Sequence, residues 1–252
     1  MHIVRRRRVV CALDKVTRAM RFLAVLSFVP TAVLGLRLPW TVLQDLTQPW
    51  RLMKFDDTKV PVQLGVMSRC PDALLCESTF NEVIRKVADK IDLSLVYVAK
   101  LDPSRADFGV KCMHGVEECA GNVQQLCVAK YEPTPVWWEF VQCQNYQGRD
   151  KIGDADIALK CASAAGFEWK TSEAGRCAGV DGSGRGVEGV GLLKESVALG
   201  LRLGIEKSCT VLINGRKVCV HDETWKECEN GHTVRDFVRQ INEEYDRLNE
   251  SR

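Results

Sequence analysis

Val60-Pro-Val-Gln-Leu-Gly-Val-Met67-Ser-Arg-Cys70-Pro-Asp-Ala-Leu-Leu-Cys76 reads as a strand that runs out at a cysteine and turns into a helix. Its first eight residues are apolar on both faces at several positions, the mark of a buried central strand. Pro71 suits the first turn of a helix, where its missing N–H would go unpaired anyway. Phe80, Val83, Ile84, Val87 and Ile91 then recur at helical spacing and give that helix one apolar face. Leu93-Ser-Leu-Val-Tyr-Val-Ala99 is a second buried strand. Strand, helix and strand within about forty residues predict a right-handed parallel βαβ unit.

A second ordered region lies near the other end. Cys209-Thr-Val-Leu-Ile213 and Arg216-Lys-Val-Cys-Val220 flank Asn214-Gly215, a dipeptide that supplies the positive φ angles of a two-residue hairpin turn. A final helix follows, with Thr233 as N-cap, Asp236 in its first turn, and Val234, Phe237, Val238, Ile241 and Tyr245 on one face. The order βαβ, interruption, ββα is that of an α/β, thioredoxin-like core with an insertion at residues 103–205. The insertion carries Cys112, Cys119, Cys127, Cys143, Cys161 and Cys177. Its apolar runs at 136–141 and 157–161 read as short helices, too poor in core to stand without disulfides. Gly184-Arg-Gly-Val-Glu-Gly189 matches a dinucleotide-binding pattern only formally, since no strand precedes it. It reads as a loop leading into a helix at 192–203.

The 252 residues fit one domain plus a leader, or at most two small domains. A net charge of +2 gives no electrostatic argument for a nucleic-acid partner. Residues 1–38, with Arg5–Arg8 ahead of the apolar run Phe22–Leu36, read as a signal peptide or an uncleaved signal-anchor. Membrane attachment is expected only in the second case. A linker at 39–57 and a domain at 58–248 complete the expected organisation. Eleven of the twelve cysteines follow the leader, and in an oxidising lumen they form a disulfide framework. The odd count leaves at least one thiol free, exchanging, or paired with another chain. Zinc is disfavoured, because paired C-x-x-C knuckles are absent and only four histidines exist. No cofactor is implied. Asn249-Glu-Ser251 is a glycosylation sequon.

The candidate catalytic residues are Cys70 and Cys76. Thiol–disulfide exchange needs an attacking thiolate and a resolving thiol near enough to release the mixed disulfide. A cysteine at a strand-to-helix turn gains from unpaired amides and the positive helix end, which favour the thiolate. Cys70 has that setting, with Arg69 beside it. Cys76 lies six residues on, roughly 9 Å along a continuous helix and beyond disulfide reach. A turn over 70–75, with Asp72 capping a later helix start, would let the two close. The open readings are a redox pair on one side, and a structural bridge or separate roles on the other. Cys209 reads as bonded to Cys219 or Cys228, or else as an unusual partner facing Cys70.

Cys112-Met-His-Gly-Val-Glu-Glu-Cys119-Ala-Gly-Asn122 resembles the C-Q-H-G-x-x-E-C-x-x-N signature of the gamma-interferon-inducible lysosomal thiol reductase (GILT) family, with Met113 in place of Gln. The resemblance extends over about residues 60–245. It implies a thiol reductase acting on protein disulfides with a small thiol reductant, after secretion or in a lysosome- or vacuole-like compartment. In that scheme Cys70 attacks and Cys76 resolves, although the family's C-x-x-C is C-x5-C here and its cis-proline position falls at Ser208-Cys209. Within the signature, Cys112 and Cys119 are expected to bond inside the insertion, with His114-Gly115 as a turn. The alternative from another class is a secreted or membrane-tethered, disulfide-rich binding protein on the same scaffold without redox activity.

Overall fold

The computed structural model describes residues 57–250. The expected leader, and all but the last residue of the expected linker, lie outside them. Strand β1 (Val60–Val66) pairs in parallel with β2 (Ile91–Tyr97) across helix α1 (Pro71–Val87), so the βαβ unit forms as the apolar spacing requires. Strands β3 (Lys100–Leu101) and β4 (Val110–Lys111) make a small separate ladder. Five helices then fill the insertion: α2 (Val116–Tyr131), α3 (Thr134–Gln147), α4 (Ala155–Ala164), α5 (Glu173–Ala178) and α6 (Val187–Arg202). Strands β5 (Thr210–Ile213), β6 (Arg216–Asp222) and β7 (Thr224–Lys226) and helix α7 (Val234–Asn249) complete the chain. The main sheet runs β2-β1-β5-β6-β7, with β5, β6 and β7 antiparallel to their neighbours. This is a thioredoxin-like core.

Local chemistry accounts for the ends. Asn214 (φ 48°) and Gly215 (φ 73°) both take left-handed backbone, as a two-residue hairpin between twisted strands demands. Thr233 caps α7 in a reciprocal capping box with Asp236. Helices α1 and α7 share one face of the sheet, where Phe80 and Phe237 meet at 4.9 Å between ring centroids. On the opposite face Val96 and Leu212 pack with Ile205, under the end of α6. Gly65 of β1 makes that approach possible, since a Cβ there would lie 2.2 Å from the Ile205 side chain.

The insertion is held by Cys112–Cys119, Cys127–Cys177 and Cys143–Cys161, and by Phe140 stacked on Trp169 at 5.8 Å. A buried polar chain joins it to the sheet. Tyr97 donates to Gln125 at 2.6 Å, Gln125 to Gln144 at 2.9 Å, and Gln144 to Gln124 at 2.7 Å. Gln124 in turn reaches the carbonyls of Gly153 and Gly182. Every donor in that chain ends on an acceptor, which is what makes so many amides tolerable in a core. Among the described residues no helix is long and apolar enough to cross a membrane. The sequon residue Asn249 is engaged in the fold: its amide accepts from Thr58 N–H at 2.8 Å and donates to the Thr58 carbonyl at 3.1 Å.

Candidate active site

Cys70 is the N-cap of α1 and makes no capping bond with its side chain, while Pro71 opens the first turn. It is buried, and it is the one free cysteine among the described residues. Its Sγ lies 3.8 Å from the Ser208 carbonyl oxygen and 3.9 Å from Asp72 Oδ2. Ser208 faces the thiol from the segment entering β5, and the Ser208–Cys209 peptide is cis. The Ser208 hydroxyl accepts from Met67 N–H at 2.9 Å, and Cys70 N–H donates to the Met67 carbonyl at 2.9 Å. The loop from β1 to α1 and the segment before β5 are thereby fixed against each other.

Cys76 does not meet Cys70. It is bonded to Cys209, with Cα atoms 6.3 Å apart. The expected turn over 70–75 does not form: Pro71 starts the helix at once, so six residues of helix separate the two sulfurs' backbones. Asp72 accordingly sits inside the first turn, and its Oδ1 accepts from His221 Nδ1 at 2.7 Å and Glu223 N–H at 2.9 Å. The expected bond of Cys209 to Cys219 or Cys228 is replaced as well, because those two pair with each other across nine residues. No sequence signal pointed to Cys209 for Cys76 or to His221 for Asp72. Both pairs are over a hundred residues apart in the chain, and only the sheet order joins them.

The Cys112–Asn122 segment lies behind this loop. Cys112 and Cys119 bond to one another and enclose the turn at Gly115 (φ 97°) that starts α2. His114 Nδ1 donates to the buried Glu118 carboxylate. Asn122 Oδ1 accepts from Ser68 N–H at 3.1 Å, and the Glu118 carbonyl accepts from Ser68 Oγ at 3.2 Å. Arg69 Nε donates to the Ile152 carbonyl at 2.7 Å and its guanidinium faces Asp154 at 3.5 Å. The signature therefore clamps Ser68, and the segment Ile152–Asp154 holds Arg69, the two residues that precede the thiol.

One acid beside the site is out of place in a core. Glu77, next to Cys76 on α1, is fully buried, and burial pushes its carboxyl up to about 7 despite a hydrogen bond from Asn145. Burial, and secondarily the Glu77 charge, hold the Tyr97 phenol well above its usual range. The neutral acid is the form this fold prefers. Its contribution is fully present below about pH 4.5 and is lost as pH rises through about 7. Glu77→Gln, which mimics the protonated acid, is expected to stabilise the protein at pH 8 by on the order of 3 kcal/mol. That is roughly 6–12 °C in Tm. Thermal unfolding at pH 8 and pH 4.5 checks it: the gap between variant and wild type should close at the lower pH.

Residues 61–165 match the gamma interferon inducible lysosomal thiol reductase (GILT) family model. The GILT match takes in Cys70, Cys76 and the Cys112–Asn122 signature, and ends before Cys177 and Cys209. No curated protein matches the chain in sequence. Among solved structures, MdbA, a thiol-disulfide oxidoreductase from Corynebacterium diphtheriae, is similar over 73% of this chain and 83% of its own, at 16% identity and a TM-score of 0.50. DsbA from Mycobacterium tuberculosis is similar over 81% of this chain and 93% of its own, at 19% identity and a TM-score of 0.48. The GILT match and the thioredoxin-like fold support thiol–disulfide oxidoreductase chemistry.

Proposed function

We propose that this protein reduces protein disulfides in a secretory, lysosomal or vacuolar compartment, with Cys70 as the attacking thiol. The observation that carries the reading is a single free cysteine placed at the N-cap of α1, facing the Ser208 carbonyl, while the other described cysteines are bonded. The GILT match supports it, and the disulfide framework suits an oxidising compartment.

Cys70 thiolate attacks one sulfur of the substrate disulfide. A Cys70–substrate S–S bond forms, the substrate bond breaks, and the departing sulfur leaves as a thiolate that takes a proton. In this reading Cys76 stays bonded to Cys209 while the intermediate is released. A small thiol attacks the Cys70 sulfur and frees the second substrate thiol, and another small thiol then restores Cys70. One substrate disulfide is reduced as two small thiols become one small disulfide, so electrons balance. The bond of Cys76 to Cys209 also favours a second reading, a binding protein on the same scaffold with no exchange.

Incubation with a small disulfide, followed by alkylation at low pH and peptide mass mapping, separates the two. Enzyme chemistry gives a mixed disulfide at Cys70 that excess small thiol reverses. A folded protein in which Cys70 stays a free thiol throughout would leave the binding reading.

A further inference from the structure

Asp72 and His221 approach Cys70 from two different elements. Asp72 stands in the first turn of α1, and His221 on β6, where its N–H and carbonyl pair with the carbonyl and N–H of Cys209 at 2.8 and 3.0 Å. The Asp72 carboxylate divides its oxygens. Oδ1 is held by His221 Nδ1 and Glu223 N–H, which leaves Oδ2 turned to the thiol at 3.9 Å. The His221 side chain is only 7% exposed, and its ring meets that of Trp225 in a T-shaped contact, 4.9 Å between centroids. Other charges nearby are engaged with each other: Lys207 ahead of β5 and Lys226 on β7 both pair with Asp222. Glu223 gives its backbone to Asp72, and His232 stacks on Trp225 at 5.6 Å. Asp72 is thus the charge that faces both the thiol and the imidazole.

We propose that the protonation of His221 sets the reactivity of Cys70 through Asp72. The inference rests on the reading of Cys70 as the exchanging thiol. A carboxylate close to a sulfur opposes the thiolate. A protonated His221 neutralises that carboxylate and removes the opposition. Imidazole ordinarily gains its proton between about pH 5 and 8. A proton taken by His221 therefore partly offsets the loss of thiolate at Cys70 as pH falls. Asp72 faces the reacting sulfur of Cys70 at 3.9 Å and tunes it. His221 acts through it and is a positioning residue.

The test is the rate of Cys70 alkylation by iodoacetamide between pH 5 and 8 in the full chain, read by peptide mass. In that reaction an S–C bond forms, iodide leaves, and the thiol proton passes to buffer. An ordinary thiol slows about tenfold per pH unit below its ionisation. The wild type is expected to slow by less, ending at pH 5 roughly threefold to tenfold faster than that rule allows. His221→Asn keeps an N–H for Asp72 but cannot titrate, and should restore the tenfold slope. Asp72→Asn should react about tenfold faster at pH 7, again with the full slope. A purely structural role for His221 would be rescued by Asn and would leave the slopes equal, which overturns the proposal while Cys70 remains reactive. A Cys70 inert at every pH in all three folded proteins would remove the exchanging-thiol reading as well.

Discussion

Cys70→Ser is expected to lower disulfide reduction by on the order of a thousandfold or more and, at the same time, to leave the protein slightly more stable. The first effect follows from the nucleophile. A serine hydroxyl is not ionised near neutral pH, forms no S–S bond, and has no base at hydrogen-bond distance to replace the lost thiolate. The second follows from where the thiol sits. Cys70 caps α1 without any side-chain cap bond, and its sulfur makes two long polar contacts, to Ser208 and Asp72. Serine is among the best N-cap residues, and its oxygen can accept a first-turn N–H, a gain of up to about 1 kcal/mol. A helix that serine would cap better carries a cysteine instead, in keeping with the exchanging role proposed for Cys70. The measurements are turnover of an insulin-like disulfide substrate and thermal unfolding of the same preparations. Residual activity above a tenth of wild type would place the exchanging thiol elsewhere, and a drop in Tm of several degrees would mean that Cys70 has a packing role.

Much of this frame was legible in the sequence because its signals are local. The run Val60–Met67, the apolar spacing from Phe80 to Ile91, Asn214-Gly215 and Thr233 with Asp236 each determine their own element within a few residues. The position of Cys70 followed from the same local reading, a strand ending at a cysteine with Pro71 behind it. Several features were not legible there. The short strands β3, β4 and β7 have two or three residues each and too few positions to show a period. The helix at 192–203 starts five residues earlier than its apolar spacing suggests, at Val187, with Gly186 in extended backbone as its N-cap. The disulfide partners of Cys76 and Cys209 depend on β5 lying beside β1, a neighbour relation that no stretch of sequence encodes locally. His221 was passed over for the same reason, since a lone histidine in a strand carries no spacing signal and its aspartate is 149 residues away.

That long-range bond carries the other large expected effect. Cys76→Ala with Cys209→Ala should cost on the order of 5 kcal/mol, because the pair closes a loop of 133 residues and so removes much of the freedom of the unfolded chain. For a domain of this size the loss corresponds to roughly 10–20 °C in Tm. Both residues are fully buried, one on α1 and one at the entrance to β5, so the bond holds the helix that carries Cys70 against the segment that faces it. Both must be replaced together, since a single substitution would leave a buried thiol free to attack neighbouring disulfides. The same variant decides what Cys76 does in turnover. With Cys70 as a lone exchanging thiol, the mixed disulfide at Cys70 should form in the double variant within about threefold of the wild-type rate and decay just as fast with added small thiol. A mixed disulfide that persists tenfold longer in the variant would show that Cys76 or Cys209 opens their bond to resolve it, and would return Cys76 to the role its place in the motif first suggested. An unchanged lifetime together with a large fall in Tm leaves the bond as the brace of the site, and the cost of a C-x5-C spacing is then a chemistry that draws its second thiol from solution.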